Sequence, residues 1–483
     1  MSLIASAGYT SPSQCIKMKQ SSPWVNDTED PPLTRQGQTG PLPREAMDAI
    51  TALLSRELKT AMGCTEPIAI AYCAALAARA LGRAPEHIRV RCSGNVVKNA
   101  KAVVVPNTGG LRGIEAAAAA GALYGDPDAG LETLSGVTPG QAADLALRLP
   151  ALGVQVSLLR TRHSLHVIVE CAAGGDAAQA EIKDTHTHVA SITRNGQKVL
   201  EGGLAAQDAP EADAMLTVEY ILRYARTVPL DEVRPILRAQ VENNLAIARE
   251  GLSGRWGSQI GRTVLESRGE SPRAQLVAWA AAGSDARMNG CAMPVTINAG
   301  SGNQGLTVSV PVVLRAGQIG ADEEATLRAL IVSNLVSLHQ KRGIGRLSAY
   351  CGAVTAAIGA SAGIAFLEGA PDEQVGQVIA SGLMIASGML CDGAKSSCAA
   401  KIVASLDSAL LAYDLARSGN AFQPGEGLAK PGVEQTISAV ARVAREGMRD
   451  TDVTVLQAML DQPAASRTRR RAPKPPAPET PGA

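Results

Sequence analysis

Three cysteines near the C-terminal end, Cys351, Cys391 and Cys398, are of a residue type that binds metals, although their spacing is not the CxxCxxC of ferredoxins. They lie in a stretch rich in Ala, Gly and Ser with few charges, and the last two enclose the turn-forming segment CDGAKSSC. Cys351 is predicted to come from a glycine-rich helical run, and Cys398 to begin a helix toward Tyr413. Three thiolates can hold a [4Fe-4S] cluster and leave one iron without a protein ligand, an open position that suits Lewis-acid catalysis. The alternative is three buried cysteines that serve as small hydrophobic residues.

A fourth cysteine, Cys64, lies far from these three in the segment GCTEP, between helical patterns at 44–58 and 67–81. The partial positive charge at the start of a helix lowers the pKa of a thiol, and a thiolate can act as a nucleophile or a base. We therefore expect a lowered pKa and a functional role for Cys64. A buried structural cysteine is an equally weighted alternative.

Two neighbouring segments, SDARMNG and SGNQG, predict an anion site. Glycines leave backbone N–H groups free to converge on an anion, and Asn303 and Gln304 add side-chain donors. Asp285 and Arg287 could clamp a substrate carboxylate, although bracing of the loop is the simpler role for them. The plain alternative is a turn before a predicted strand at 306–314.

Two further pairs of polar residues carry weaker signals. Lys98 and Asn99 follow a predicted strand and could face a pocket, although solvated turn residues are common at such positions. His186 and His188 alternate on a predicted strand and face the same way, as two metal ligands would. Since no third ligand lies near them in sequence, a polar sheet face explains them, and a histidine metal site is not expected.

The composition limits the function classes. The chain has 483 residues, of which 46% are hydrophobic and only 2% aromatic, so its core must be aliphatic and rich in alanine. The formal net charge of +1 argues against a nucleic-acid or membrane-surface binder, as does the scarcity of aromatic residues that could stack on bases. Nine scattered cysteines in so long a chain indicate a reducing compartment rather than a disulfide scaffold. We expect a cytoplasmic protein without a secretory signal.

Two uncharged runs, at 347–367 and 375–391, raise the question of a membrane span. Both are rich in Ala, Gly and Ser, which insert weakly into a bilayer, and no aromatic belt flanks them. We interpret them as buried helices and expect no membrane partner.

The order of the patterns predicts an α+β N-terminal domain with a mixed or antiparallel sheet, followed by a mostly α-helical C-terminal domain that carries the cluster. Strands are predicted at 87–92, 102–105, 154–160, 166–171, 180–183 and 188–194, with a hairpin turn at 194–197. Long helical patterns cover 323–339 and 433–448. The predicted organisation is a flexible extension at 1–42, the α+β domain at 43–215, the helical domain at 216–460 and a disordered Pro/Arg tail at 461–483.

Taken together and in this order, these segments resemble the L-cysteine desulfidase family, which is related to the alpha-chain region of the iron–sulfur L-serine dehydratases. The resemblance covers about residues 45–460. It rests on these segments: GCTEP at 63–67, VVKN at 96–99, EGLSGRWG at 250–257, SDARMNG at 284–290, SGNQG at 301–305, RLSAYC at 346–351 and CDGAKSSC at 391–398.

The resemblance implies a lyase, independent of pyridoxal phosphate, that converts L-cysteine to hydrogen sulfide, ammonia and pyruvate. By the same resemblance, Cys351, Cys391 and Cys398 match the ligands of a [4Fe-4S] cluster, and Cys64 matches the cysteine proposed as the catalytic base. On motif membership alone, we also expect six residues in the substrate pocket: Glu66, Lys98, Asn99, Arg287, Asn303 and Gln304.

Three rival functions stay open. An L-serine dehydratase on the same scaffold would bind a hydroxyl in place of a sulfur, and the residues alone do not separate the two. A pyridoxal-phosphate lyase could use the glycine loop for the phosphate and Lys395 or Lys401 for the Schiff base. Neither lysine, however, lies in a motif typical of pyridoxal-phosphate enzymes. The third is a non-catalytic iron–sulfur sensor or binding protein. We expect a small amino acid as substrate and a homo-oligomer, with a dimer as the first candidate.

Overall fold

The computed structural model describes residues 40–201 and 216–461, so the predicted extension at 1–42 and tail at 461–483 lie almost wholly outside the described residues. The helices of the first range are α1 (Arg44–Glu57), α2 (Thr65–Leu81), α3 (Gly94–Ala100), α4 (Gly113–Tyr124) and α5 (Pro139–Arg148). Its strands are β1 (Thr60–Met62), β2 (His87–Cys92), β3 (Gln155–Leu158), β4 (His166–Ala173), β5 (Asp176–Lys183), β6 (Val189–Arg194) and β7 (Gln197–Glu201).

Six of these strands form a mixed sheet in the order β3-β2-β4-β5-β6-β7. β2 and β3 run parallel, and the other neighbouring pairs are antiparallel. Along β2 the side chains alternate, with Ile88, Val90 and Cys92 buried and the residues between them exposed. α2 and α4 cover the buried face of the sheet. The prediction of an α+β part with a mixed sheet is confirmed.

The turn between β6 and β7 has the geometry that its sequence predicts. Asn195 and Gly196 have φ values of 49° and 77°. Two successive residues with positive φ make the turn whose twist matches that of the flanking strands, and Asn-Gly adopts it readily. The predicted hairpin at 194–197 is confirmed.

The second range is nearly all helix. Its helices are α6 (Val218–Thr227), α7 (Arg234–Ser253), α8 (Ile260–Arg268), α9 (Pro272–Met288), α10 (Gly302–Ile319), α11 (Glu323–Ile344), α12 (Gly352–Leu367), α13 (Asp372–Ala386), α14 (Ser397–Arg417), α15 (Val433–Arg442) and α16 (Arg449–Asp461). One short strand, β8 (Pro294–Thr296), precedes α10, and a π-helical turn (Val443–Gly447) lies between α15 and α16.

The aliphatic core of the helical part is built around α10, α11 and α12. α12 is buried along most of its length, and its many alanine and glycine residues let neighbouring helices approach closely. α1 packs into this core as well, through Ile50, Leu53 and Leu54. The predicted domain boundary near residue 215 stays a prediction.

The two uncharged runs of the sequence correspond to α12 and α13 with the turns beside them. Both helices contribute buried side chains to the helical core, as expected. Within residues 40–201 and 216–461, no helix is long and apolar enough to cross a bilayer.

Two predicted strands are wrong. Residues 306–314 lie in α10, where three alternating valines are all buried. Their spacing resembles that of a strand, but a helix enclosed by other helices accepts them because tertiary packing outweighs local propensity. The predicted strand at 102–105 is reduced to a single bridge between Val104 and Arg112.

A small two-stranded sheet joins the two ranges of the chain near the predicted site residues. β1 pairs antiparallel with β8. Cys64 and α2 follow β1 along the chain, and the glycine loop before α10 follows β8. Thr65 Oγ1 donates to Gly300 O at 2.9 Å across this junction. The start of α2 is therefore held beside the loop that leads into α10.

Candidate functional site

One cavity collects most of the predicted site residues. Its volume is about 100 Å³, and since a cavity needs about 10–15 Å³ to hold one water, a small molecule fits inside. It lies between the starts of α2 and α10, the end of α11 and the segments that precede α12 and α14. The predicted residues that line it are Cys64, Glu66, Asn99, Arg287, Asn303, Gln304, Cys351, Cys391 and Cys398. Lys98 is the one predicted site residue outside the lining.

Cys351 and Cys391 lie close together because two distant chain segments pair side by side. Cys351 N donates to Met389 O at 2.9 Å, and Cys391 N donates to Ala349 O at 2.7 Å. This short antiparallel pairing puts Cys351 and Cys391 on neighbouring segments, and Cys398 lies in the first turn of α14. Among the described residues, no group of three His, Cys, Asp or Glu has the geometry of a preformed metal site.

The Cys351 and Cys391 thiols lie close enough for one to stabilise the thiolate of the other. The hydrogen bond from Cys351, the charges of Lys98 and Lys341 and the Gly393 N–H lower the pKa of Cys391 in spite of its burial. The same bond, together with burial, raises the pKa of Cys351. Lys98, Lys341 and the Gly393 N–H therefore favour a negative charge on this pair of thiols, and a thiolate is the form of cysteine that binds a metal.

Two buried lysines approach the cysteine pair from different helices. The Lys98 side chain of α3 is only 1% exposed, and its Nζ donates to Asp452 Oδ1 at 2.5 Å and to Ser348 O at 3.3 Å. Lys341 of α11 is buried and lines the cavity, and burial lowers its pKa to about 8. Sequence reasoning missed Lys341 because a lysine in the last turn of a helix is ordinarily a solvated charge that complements the helix dipole.

Glu66, in the first turn of α2, is a buried carboxylate with four polar neighbours. Asn99 Nδ2 donates to its Oε1 at 3.1 Å, and Cys64 Sγ donates to its Oε2 at 3.3 Å. Thr65 Oγ1, whose one proton is shared with the closer Gly300 O, lies 3.2 Å from Oε2. His186 Nε2 lies 3.6 Å from Oε1, an ion-pair distance rather than a hydrogen bond. Burial alone would raise the pKa of Glu66, but His186 and the hydrogen bonds outweigh it and hold the pKa at about 2. Glu66 is therefore ionised at neutral pH.

Cys64 precedes the first residue of α2 as predicted, but its predicted low pKa is wrong. Burial raises the pKa of its thiol well above the usual value, and the charge of Glu66 raises it further, while Arg287 lowers it only in part. The start of a helix favours a thiolate only where dry surroundings and a nearby carboxylate do not oppose it. In the free protein Cys64 is a neutral thiol that donates to Glu66 Oε2.

His186 is a site residue that sequence reasoning missed. It lies with His188 in the turn between β5 and β6, so the prediction of two histidines on one strand is wrong. The His186 side chain is buried, lines the cavity and has no hydrogen-bond partner for Nε2 among the described residues. Gly300 leaves room for it, since a Cβ at that position would lie 3.0 Å from the ring. The pair of histidines, His186 and His188, is the sequence signal that could indicate a site here. The strand interpretation explains the pair as part of a polar sheet face instead.

Arg287, at the end of α9, is a buried cation with an unused donor. Its side chain is 2% exposed, and its Nη1 donates to Asn303 Oδ1 at 3.1 Å. Within the described part of the chain its Nε has no hydrogen-bond partner, and no carboxylate forms an ion pair with it. Gln304 Oε1 in the same cavity is also buried and unpartnered. Because a buried charge is costly without a counter-charge, this arrangement indicates an anionic ligand.

Asp285 does not form the clamp with Arg287 that the sequence allowed. Its carboxylate accepts N–H bonds from Ser258 at 3.3 Å and from Ile260 at 2.6 Å. Asp285 therefore braces the start of α8 rather than the glycine loop, which was the role predicted from the sequence.

The start of α10 lies directly against Arg287. Ser301 Oγ accepts a bond from Gln304 N at 3.5 Å and caps the helix. A Cβ at Gly302 would lie 2.3 Å from Arg287 Nε, so glycine is required for this close approach. Backbone N–H groups at the start of the 18-residue helix and the guanidinium can therefore serve the same anion.

The variant Gly393→Ala is expected to lower the free energy of unfolding by about 2–4 kcal/mol, because a strained backbone and a steric overlap act together. Gly393 has a φ of 90°, and a Cβ there would lie 2.2 Å from Lys98 O. Chemical denaturation of the metal-free protein measures the loss. Gly388→Ala is the matched control, since Gly388 has a φ of 117° but no atom within 4 Å of an added Cβ. Equal losses in the two variants would mean that the close contact with α3 contributes nothing.

The family comparison covers the cysteine segments and the anion site. The family model for the serine dehydratase alpha chain matches residues 129–457. This range contains Arg287, the start of α10 and the three late cysteines, whereas Cys64 and Glu66 precede it.

Similar proteins occur in several bacteria. A UPF0597 protein of Lachnoclostridium phytofermentans is 46% identical over 411 residues, which cover 85% of this chain and 98% of the relative. A UPF0597 protein of Treponema denticola is 45% identical over 416 residues, covering 84% of this chain and 96% of the relative. A third, from Desulfitobacterium hafniense, is 42% identical over 412 residues, covering 85% of this chain and 96% of the relative. The chain therefore belongs to the serine dehydratase alpha chain family, and this membership indicates a lyase-type enzyme.

Proposed function

We propose that the protein is a [4Fe-4S] lyase, independent of pyridoxal phosphate, that converts L-cysteine to hydrogen sulfide, ammonia and pyruvate by β-elimination. The observation that carries this proposal is that one cavity is lined both by three cysteines and by the buried charges of Arg287 and Glu66. An α-amino acid offers the two complementary groups, a carboxylate for Arg287 and an ammonium for Glu66. L-Serine is the second candidate, since the matching family model is named for a serine dehydratase.

The chemistry of the cysteine set fits a [4Fe-4S] cluster. Thiolate sulfur is the usual ligand of such clusters, and the three thiols line the same cavity. Lys98 and Lys341 add buried positive charge next to Cys391, which favours its thiolate. Cys351, Cys391 and Cys398 would hold the cluster, which when bound supplies an open iron that withdraws electrons from the leaving group.

Arg287 and the start of α10 would bind the substrate carboxylate. Arg287 Nε is free to donate, and the first N–H groups of α10 lie beside it. Glu66 and Gln304 Oε1 are the acceptors available for the substrate ammonium. Binding at both ends of the amino acid would fix the orientation of its Cα–H bond toward the catalytic base.

Cys64 Sγ would take the α-proton. The charge of Glu66 raises the pKa of this thiol in the free protein, so a bound ammonium beside Glu66 would offset that effect and favour release of the thiol proton to solvent. This release leaves the thiolate that accepts the α-proton. The electron pair of the Cα–H bond then forms the Cα=Cβ bond, while the sulfur leaves with the electron pair of the Cβ–S bond. The aminoacrylate becomes an imine, which water hydrolyses to pyruvate and ammonia.

The variant Cys64→Ala is expected to keep its iron and to lose turnover by about 10²–10⁴-fold, the usual contribution of a general base. The matched control is Cys73→Ala, which makes the same change inside α2 at a buried thiol that donates to Ala180 O in the sheet. Iron content, circular dichroism and turnover of both variants are measured under anaerobic conditions. Near-normal turnover in Cys64→Ala would show that Cys64 is not the catalytic base.

Anaerobic reconstitution with iron and sulfide, followed by parallel assays with L-cysteine and L-serine, tests the proposed substrate. We expect pyruvate and sulfide in equal amounts from L-cysteine, at a higher rate than pyruvate from L-serine. A faster reaction with L-serine would favour the second candidate. An absorbance band of an aldimine that shifts with added amino acid would indicate a pyridoxal-phosphate lyase, and no pyruvate from either substrate would refute the proposal.

A further inference from the structure

Lys98 is fixed next to the cysteine turn by both its backbone and its side chain. Its carbonyl oxygen packs against Gly393, where even a methyl group would overlap with it. Its Nζ donates to the carbonyl of Ser348, three residues before Cys351, and its side chain is 1% exposed. A charge held this way cannot turn toward water, so it acts on the cysteine pair at a fixed position.

Lys341 places a second positive charge at the same pair. It lies in the last turn of α11, is buried and lines the cavity together with the three late cysteines. None of the acidic residues in the described part of the chain forms an ion pair with it. Its charge is therefore compensated mainly by the cysteine site itself.

One negative charge opposes this pair of lysines from outside the cavity. Asp452 of α16 forms a 2.5 Å ion pair with Lys98 and is 20% exposed. α16 has no buried residue of its own, and it contacts α3 through this pair, through Lys101 Nζ bonded to Met459 O, and through Leu456, which packs against Gly94. Asp452 thus reduces the positive charge of Lys98 without contacting a cysteine.

Other charged groups near the cysteines form ion pairs of their own, although the pairs at Asp392 leave one positive charge uncompensated. Asp392, next to Cys391, is paired with Lys395 and Lys401. Arg346, which lines the cavity, forms a two-bonded pair with Glu57. Lys341, which has no such partner among the described residues, and Lys98, whose partner Asp452 lies outside the cavity lining, are the lysines that act on Cys391, whereas the unpaired Arg287 acts on Cys64.

We propose that Lys98 and Lys341 act as buried counter-charges of the cluster site and that Asp452 attenuates Lys98, so that these three positioning residues set the reduction potential and the iron retention of the site. This inference rests on the proposed function, because it concerns the cluster that the three cysteines would hold. A nearby positive charge favours the more negative, reduced form of a cluster and the thiolate form of its ligands. Loss of a lysine and loss of Asp452 must therefore act in opposite directions.

A charge series in the full chain tests the proposal. Lys98→Met and Lys341→Met are expected to lower the midpoint potential, and Asp452→Asn is expected to raise it. Each shift should correspond to roughly a tenfold change in the ratio of reduced to oxidised cluster, about 59 mV for a one-electron couple. Lys101→Met is the matched control, because Lys101 lies in the turn after Lys98, is exposed, and bonds to a carbonyl of α16. It should leave the potential unchanged.

Release of iron to a chelator in the anaerobic protein gives a second readout that does not depend on turnover. The two lysine variants should lose iron faster than the unmodified chain, and Asp452→Asn should lose it more slowly. If Lys98→Met does not fold, Asp452→Asn and Lys341→Met still test the opposite signs. Shifts of the midpoint potential with the same sign in the lysine and aspartate variants would overturn this inference but not the proposed function. A shift of equal size in Lys101→Met would do the same. Absence of any cluster in the unmodified chain would overturn the proposed function and this inference together.

Discussion

Cys351→Ser and Cys391→Ser are each expected to lose iron, visible absorbance and turnover together. A serine hydroxyl keeps its proton at neutral pH and is a poor ligand for the iron of a cluster, which thiolates bind well. Each variant leaves two of the three thiols in the cavity, which is too few to hold the cluster at three corners. Iron, acid-labile sulfide and the absorbance spectrum of the anaerobic protein measure the loss.

Cys291→Ser is the matched control for these two variants. Cys291 is a buried cysteine of the helical core and does not line the cavity. Its replacement should leave the iron content unchanged, even if the free energy of unfolding falls. Full iron content in Cys351→Ser or Cys391→Ser would show that the cluster has other ligands.

Arg287→Met is expected to reduce kcat/KM by about a hundredfold or more without loss of iron. Arg287 is a buried cation of the cavity with which no carboxylate in residues 40–201 and 216–461 forms an ion pair, and an anion bound there would compensate its charge. Removing one partner of a buried, hydrogen-bonded charge pair costs about 2–5 kcal/mol, which corresponds to a large loss of affinity. Steady-state kinetics with the preferred amino acid, together with iron analysis, measures both quantities.

Arg287→Lys separates charge from geometry at this position. Lysine keeps the positive charge but lacks the fixed pair of donors that matches a carboxylate, so an intermediate loss is expected. Arg262→Met is the control, because Arg262 bonds to carbonyl groups at the end of α7 and takes no part in the cavity lining. An unchanged kcat/KM in Arg287→Met would exclude Arg287 as the carboxylate site.

The segments that bear the chemistry could be predicted from the sequence where their signal is local. The turn between Cys391 and Cys398 contains the glycine that a positive φ requires, and the helix that starts beside Cys398 follows it directly. The helix start at Cys64 is a local signal as well. Each of these features depends on residues that are adjacent in the chain, so it can be predicted from a single sequence.

The rest depends on contacts between residues that are far apart in the chain. Lys341 and His186 give no sign in the sequence that they are buried together at one cavity. The strand predicted at 306–314 failed because a helix surrounded by other helices tolerates valines that would otherwise favour a strand. The proximity of Cys351 to Cys391 arises from a backbone pairing that no local pattern indicates.

The wrong prediction of a low pKa for Cys64 has a different cause. Glu66 is only two residues away, so its charge could have been weighed against the helix start from the sequence alone. The extent to which Cys64 is buried could not be predicted from the sequence, and this burial is the largest cause of its raised pKa. A helix N-terminus is therefore insufficient evidence for a reactive thiol when an acidic residue follows in the first turn.

The iron and acid-labile sulfide content of the full chain, purified without oxygen and without added metal, tests the central claim most directly. We expect about four iron and about four sulfide per chain, with a broad absorbance that air removes. Iron and sulfide near zero, in a folded protein that also takes up neither on anaerobic reconstitution, would contradict it.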